Sequence, residues 1–215
     1  MNYAKPGHAG CAGDSVLLDL MTCADLPSPP LTPTLSSPSP LLLTYDRFKT
    51  FAGNEAQMYE ADFGPDEGPQ LHVLVKTYHD KNMHLLRHEF NVYTAVAHLS
   101  IVPKLHAVIK SRSRPHWGGL IMEHAGTSLA AVYEEGDFEC IELTPQERLE
   151  IYDAFRQLHV AGVVHGDVAP RNILRRPNGA FCLVDFDKSS LNHPCEGLTC
   201  PELAQLQRDL KLETV

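Results

Sequence analysis

The chain has 215 residues and a formal net charge of −9 from 18 Lys and Arg against 27 Asp and Glu; that length allows an appendage plus one compact domain, which without the appendage still buries roughly 70% of its unfolded surface. That charge opposes attraction to nucleic-acid backbones, which depends on Lys and Arg releasing counterions, so no nucleic-acid partner is expected. No run approaches the ~18 apolar residues of a membrane span and the start lacks a charged segment followed by an apolar run; with six cysteines at no paired short spacing, a soluble intracellular protein, cytoplasmic or nuclear, with reduced thiols and no membrane partner is expected.

Residues 1–40 carry seven of the sixteen prolines, and each ring removes an amide donor and biases its predecessor away from helix, so a disordered Pro/Ser-rich tail is expected there. From Leu41 short runs bounded by turn residues begin. "QMYEADF" and "LHVLVKTY" read as strands around "GPDEGP", and "KLHAVIK" and "GGLIMEH" as two more around "SRSRPHW", which predicts an antiparallel sheet. Between the pairs, Leu86, Phe90, Tyr93 and Ala97 recur at helical spacing and predict one helix crossing the sheet. A second helix opens at Thr144 as cap, with Pro145 first and Glu147 completing a capping box, runs on a stripe of Leu149, Tyr152, Phe155 and Leu158, and stops at Ala161-Gly162. Beyond it, "RPNGA" reads as a hairpin turn and "FCLVDF" as a short strand that ends in Asp185.

The helix delivers the chain into "HGDVAPRNIL", residues 165–174. Asp167, Asn172 and Asp185 then supply hard oxygen ligands and one candidate base, a set that suits Mg²⁺ with substrate phosphates and points to phosphoryl transfer.

His165-x-Asp167-x4-Asn172 resembles the catalytic loop of the protein-kinase-like superfamily, and Asp185-Phe186-Asp187, thirteen residues on, resembles its metal-binding triplet with aspartate in place of glycine. The resemblance implies that Asp167 orients the acceptor hydroxyl, that Asn172 and Asp185 hold Mg²⁺, that His165 braces the loop and that Arg171 is a candidate for acceptor contact. It also asks for a lysine on the third strand and an acidic partner on the crossing helix. Lys76 lies in "LHVLVKTY", and Glu89 is the only carboxylate between Lys81 and Leu99. "LIMEHAG" resembles the strand and hinge that receive adenine, with Glu123 and Ala125 as contacts, and Gly53 is the single glycine where a phosphate-covering loop is expected. Each of these residues has a bland reading by itself, a solvated charge or a chance spacing; the specificity lies in their order and separation.

The fold class implied is α+β: a protein-kinase-like two-lobed fold, with an N-lobe over about 41–123 that has an antiparallel sheet and one crossing helix, and a reduced, mainly helical C-lobe over about 124–215. With its minimal C-lobe the chain is similar to small atypical, fungal-type kinase-like proteins and to the compact small-molecule kinase branches. Departures are an acidic Glu55 in the phosphate loop, Gly166 where an arginine often precedes the catalytic aspartate, and only 28 residues after Asp187, where "CPELAQLQRDLKLETV" supplies one helix with Leu203, Leu206 and Leu210 inward. The function expected is ATP- and Mg²⁺-dependent transfer of the γ-phosphoryl group to an unidentified hydroxyl acceptor, protein or small molecule. The alternative is a pseudokinase-like, non-catalytic binding module; against it stands the reasoning that a scaffold has no need to hold two uncompensated carboxylates. His84 and His88 share a helix face without a third ligand and are expected to be a surface pair. His193, Cys195 and Cys200, with Cys182, carry metal-ligating atoms, but separations of two and five do not match a paired knuckle, so free thiols are expected.

Overall fold

The computed structural model describes residues 15–16, 20–21, 41–52, 56–65, 68–110, 116–133 and 138–212. Gly53 and Glu55, in the middle of the expected phosphate loop, lie outside the described residues, as does most of the expected tail.

The upper part is an antiparallel sheet. Its strands are β1 (Ser15–Val16), β2 (Leu20–Met21), β3 (Leu41–Ala52), β4 (Gln57–Pro65), β5 (Leu71–His79), β6 (Leu105–Lys110) and β7 (Trp117–Glu123), in the order β1-β3-β4-β5-β7-β6-β2. The four strands read from sequence pair as adjacent hairpin neighbours and through β5 against β7. The two short pairs from residues 1–40 add to opposite edges, on β3 and β6.

Alternation along β5 decides which side chains meet the chemistry. Successive residues of a strand face opposite ways, so Val73 and Val75 join Ala61, Phe63, Ile109 and Ile121 in one cluster, whereas Leu74 and Tyr78 pack on the other face, in the main core. Lys76 shares the parity of Leu74 and Tyr78 and is therefore turned toward helix α1 (Met83–Ala95), which crosses that face after a short 3-10 turn at Asp80–Asn82. The buried residues of α1 are Leu86, Glu89, Val92 and Tyr93. This corrects the predicted stripe: Phe90 is only partly buried and Ala97 lies exposed beyond the helix. Apolar spacing alone misplaced the face because its centre is a carboxylate.

The lower part holds the short helix α2 (Leu129–Tyr133), α3 (Pro145–Val160), α4 (Pro201–Asp209) and a small sheet of β8 (Thr127–Ser128), β9 (Ile173–Arg175) and β10 (Phe181–Leu183). The start of α3 carries the full capping box, with Glu147 N–H donating to Thr144 Oγ1 at 3.2 Å and Thr144 N–H to Glu147 Oε2 at 2.8 Å, a feature that contributes about 1 kcal/mol. Its buried residues are Ile151, Ala154, Phe155, Leu158 and His159, so the predicted stripe is half right: Leu149 is 51% exposed and Tyr152 is partly buried. The predicted turn closes β9 onto β10, with Gly179 at φ 88°. Leu203, Leu206 and Leu210 are buried as expected. The fold is thus the expected α+β, two-lobed, protein-kinase-like one with a reduced C-lobe, and a continuous core joins α1, α3 and α4.

Candidate active site

Between sheet and helices lies a cleft of about 680 Å³, within the size range of small-molecule sites. Lys76, Glu123, Ala125, Asp167, Arg171, Asn172 and Asp185 all line it, and Ala56, Met58, Leu74, Met122 and Leu174 add apolar wall. A larger hollow of about 1250 Å³ behind α1 has none of Lys76, Asp167, Asn172 or Asp185 in its wall. Chemistry therefore selects the smaller cleft.

The innermost group is Glu89, with no exposed surface. Its Oε1 accepts from Lys76 Nζ at 3.0 Å and from Phe186 N–H at 2.7 Å, and its Oε2 accepts from Tyr78 Oη. Lys76 Nζ also contacts Asp185 Oδ1. Burial by itself would push the Lys76 ammonium down, yet Glu89 and Asp185 outweigh it and the pKa is pushed up to about 12. The lysine is a fixed cation. Tyr78 was not foreseen, although it stands two residues after Lys76 and so on the same strand face.

Asp185 sits two residues past β10 in the left-handed region, φ 70°, not at a strand end. Phe186 behind it is fully buried, edge-on to Tyr93 at 5.1 Å and against His165 at 5.0 Å, and His165 in turn meets Phe155 of α3 at 5.5 Å. His165 Nε2 is 3.0 Å from Val184 O. This arrangement holds the loop to the segment that carries Asp185. Burial keeps the His165 pKa below its ordinary value despite Glu202 and the Val184 carbonyl, so the ring is neutral at pH 7.

Asp167 accepts from Arg171 Nη2 at 2.7 and 2.8 Å, from Lys188 Nζ at 3.2 Å and from Asn172 Nδ2 at 3.2 Å. Desolvation raises its pKa, but the Arg171 and Lys188 contacts outweigh this and hold the carboxyl below its ordinary value. Asn172, buried in the 3-10 turn Pro170–Asn172, also gives Nδ2 to Asp167 O at 2.9 Å, which assigns the amide orientation and leaves Oδ1 as the donor for a hard cation. Two carboxylates without partners, as reasoned from sequence, are not what is found: Asp185 has Lys76, and Asp167 has Arg171 and Lys188. Lys188 carried no sequence signal.

Gly166 has a steric cause. At φ +77° a Cβ there would stand 2.2 Å from Lys188 O, so no arginine fits this backbone. Its N–H and that of His165 donate to Glu202 at 2.7 and 3.1 Å. Burial raises the Glu202 pKa, but the hydrogen bonds from His159 and these two amides prevail and hold it below the ordinary value. Sequence reasoning missed Glu202; its signal is the Pro-Glu at the start of α4.

The hinge candidates differ. Glu123 N–H donates to Lys104 O at 2.9 Å and its carboxylate pairs with Arg176, so its side chain is structural. Ala125 is buried beside Gly126, where φ is 126°. His84 and His88 do not converge: His84 meets Lys81 O and His88 meets Ser189 Oγ. Cys182 lies apart from the C-terminal group, in β10 against Arg176 at 3.3 Å.

A model of the lipopolysaccharide kinase (Kdo/WaaP) family matches residues 86–215, from α1 through the loop that carries Asp167 to the C terminus. The chain belongs to this family. It is a kinase-like phosphotransferase family within the protein-kinase-like superfamily. The chain is also 35% identical over 103 residues, 47% of its length, to MAP kinase kinase kinase SSK2 of Saccharomyces cerevisiae. To the serine/threonine-protein kinase SSK22 of the same yeast it is 31% identical over 140 residues, 62% of its length. These matches span 6% and 10% of the two yeast proteins. Among the described residues no helix is long and apolar enough to cross a membrane.

Proposed function

We propose that this kinase-like domain binds Mg·ATP in the cleft and transfers the γ-phosphoryl group to a hydroxyl acceptor. The observation that carries this reading is the convergence of a buried Lys76–Glu89 pair with Asp185, in the same cleft as Asp167 and Asn172. A carboxylate and a carboxamide oxygen fit a hard dication. Asn172 Oδ1 and Asp185 would hold Mg²⁺, which when bound neutralises phosphate charge. Lys76, kept cationic and fixed by Glu89, would grip the nucleotide phosphates. The adenine would lie between Ala56 and Leu74 above and Leu174 below, with the Glu123 carbonyl and Ala125 N–H on its edge.

Transfer forms a bond between the acceptor oxygen and the γ-phosphorus and breaks the bond from that phosphorus to the bridging oxygen, so ADP leaves. The acceptor proton passes to Asp167 or through it to water. A carboxylate with a depressed pKa is a weak base, so its principal work is orientation, in keeping with a loose phosphoryl transition state. Arg171 would set the Asp167 carboxylate and border the acceptor. Asp167→Asn should abolish transfer and spare most nucleotide binding; undiminished turnover would remove Asp167 from this role. Asp185→Asn should weaken Mg²⁺-dependent nucleotide affinity, and unchanged affinity would count against its ligand assignment.

The acceptor class is a hydroxyl: the family name points to a saccharide, the yeast relatives' names to serine or threonine. The free Cys140, Cys182, Cys195 and Cys200 fit a reducing compartment, cytosol or nucleus. A second reading, a non-catalytic binding module, is favoured by the basic partners that already balance Asp167 and Asp185.

A further inference from the structure

Four side chains gather at the base of the lower lobe, away from the cleft. His159 ends α3, His193 and Cys195 come from the segment after Asp187, and Cys200 caps α4. One ligand atom from each lies within 4.8 Å of all the others. His159 and Cys200 are buried, and His193 and Cys195 partly so.

Two details separate this group from ordinary thiol–imidazole contacts. Cys195 Sγ at 3.5 Å and Cys200 Sγ at 3.4 Å both point at His159 Nδ1. That nitrogen has one in-plane lone pair and cannot accept from two thiols. Cys200 Sγ is also 3.4 Å from His193 Nε2. Ligands at about 2.3 Å for sulfur and about 2.0–2.1 Å for nitrogen, placed tetrahedrally on zinc, stand about 3.5 Å apart along each edge. The three sulfur–nitrogen spacings of 3.4–3.5 Å match such edges.

We propose that His159 Nδ1, His193 Nε2, Cys195 Sγ and Cys200 Sγ bind one structural Zn²⁺. Two thiolates and two neutral imidazoles make the filled site electrically neutral, which suits burial; binding releases the two thiol protons to solvent. The surroundings are prepared for it. His159 Nε2 is 2.6 Å from Glu202 Oε2, a carboxylate–histidine contact that fixes the tautomer and presents Nδ1 to a metal. The other bonds of Glu202 go to the backbone N–H groups of His165 and Gly166. The metal thus fastens α3, the segment after Asp187 and α4 together, and through Glu202 it steadies the loop that carries Asp167. The sequence spacing conceals the set because its fourth ligand is His159, 34 residues before His193, rather than Cys182.

The test uses the full reduced chain, purified without a metal-chelating resin. Elemental analysis should find one zinc per chain, and Co²⁺ titrated into chelator-treated protein should give thiolate charge-transfer and tetrahedral visible bands that saturate at one equivalent. Cys195→Ser and Cys200→Ser should each lose metal, Glu202→Gln should lower affinity by about 10–100-fold, and Cys140→Ser should keep full stoichiometry. Asp167→Asn should also keep its zinc, so loss of phosphoryl transfer and loss of the metal are read separately. Should the cysteine variants fail to fold, X-ray absorption of the wild-type zinc decides: two sulfur and two nitrogen neighbours support the site, and a shell of oxygen and nitrogen alone overturns it. Absence of both zinc and cobalt uptake, or a Cys195–Cys200 disulfide in place of metal, overturns it as well.

Discussion

Removing the Glu89 carboxylate tests the framework of the cleft. Three donors converge on it: Lys76 Nζ, Tyr78 Oη and Phe186 N–H. Glu89→Ala leaves a buried ammonium with Asp185 as its remaining carboxylate and strips the acceptor from two neutral donors, the buried Tyr78 hydroxyl and the Phe186 N–H. Breaking one side of a buried ion pair costs about 3–5 kcal/mol, and a domain of this size loses about 2–4 °C per kcal/mol, hence roughly 6–20 °C in melting temperature. Glu89→Gln keeps the shape and an acceptor and should cost less. Lys76→Met combined with Glu89→Gln should cost less than the sum of the two single substitutions, because both then remove the same Lys76–Glu89 pair. Urea unfolding at pH 7 of the wild type, Glu89→Gln, Lys76→Met and the double variant gives the cycle directly. A Glu89→Ala cost below about 1 kcal/mol, within the range of exposed ion pairs, would refute the reasoning.

The same framework predicts behaviour at high pH. Lys76 is raised to about 12, and burial with the nearby Glu89 charge raises Tyr78 and Tyr93 above their ordinary value; a group raised in the folded state stabilises fully below its unfolded pKa and loses that as pH rises. Stability should therefore hold from pH 6 to 9 as far as these groups act and fall above about pH 10, with Tyr78 and Tyr93 ionising only on unfolding in a spectrophotometric titration. Asp167 is depressed, so its stabilisation is present above about pH 4 and lost below, and a pH–rate profile should show no acid limb from Asp167 between pH 5 and 8. Gly166→Ala should cost about 2 kcal/mol or more from the left-handed backbone and the contact with Lys188 O, and reduce transfer more than binding; a neutral outcome in both would contradict the close approach.

Strands and helices were legible where pattern and caps agreed: β4 through β7 by alternation and turn chemistry, α3 by Thr144, Pro145 and Glu147. Helix faces were less so, because the buried side of α1 is centred on Glu89 and that of α3 includes His159; polar residues in a core are invisible to apolar spacing. Lys76, Asp167, Asn172 and Asp185 were legible through order and separation, and the cleft brings them together. Lys188 was not, since it acts through a contact that only the folded chain creates, whereas Tyr78 and Glu202 were missed despite the strand parity and the Pro-Glu that signal them. Gly166 read as a lost arginine, whereas its backbone forbids one.

The central claim is Mg²⁺-dependent nucleotide binding at Asp185 and Asn172, and thermal melting of the full chain with ATP, with and without Mg²⁺, tests it most directly. At a hundredfold excess over Kd, linkage stabilises the fold by about 2.7 kcal/mol, or roughly 5–11 °C. A shift of that size that requires Mg²⁺ and is lost in Asp185→Asn is the predicted result. An unchanged melting temperature at millimolar Mg·ATP would contradict it and favour the binding-module reading.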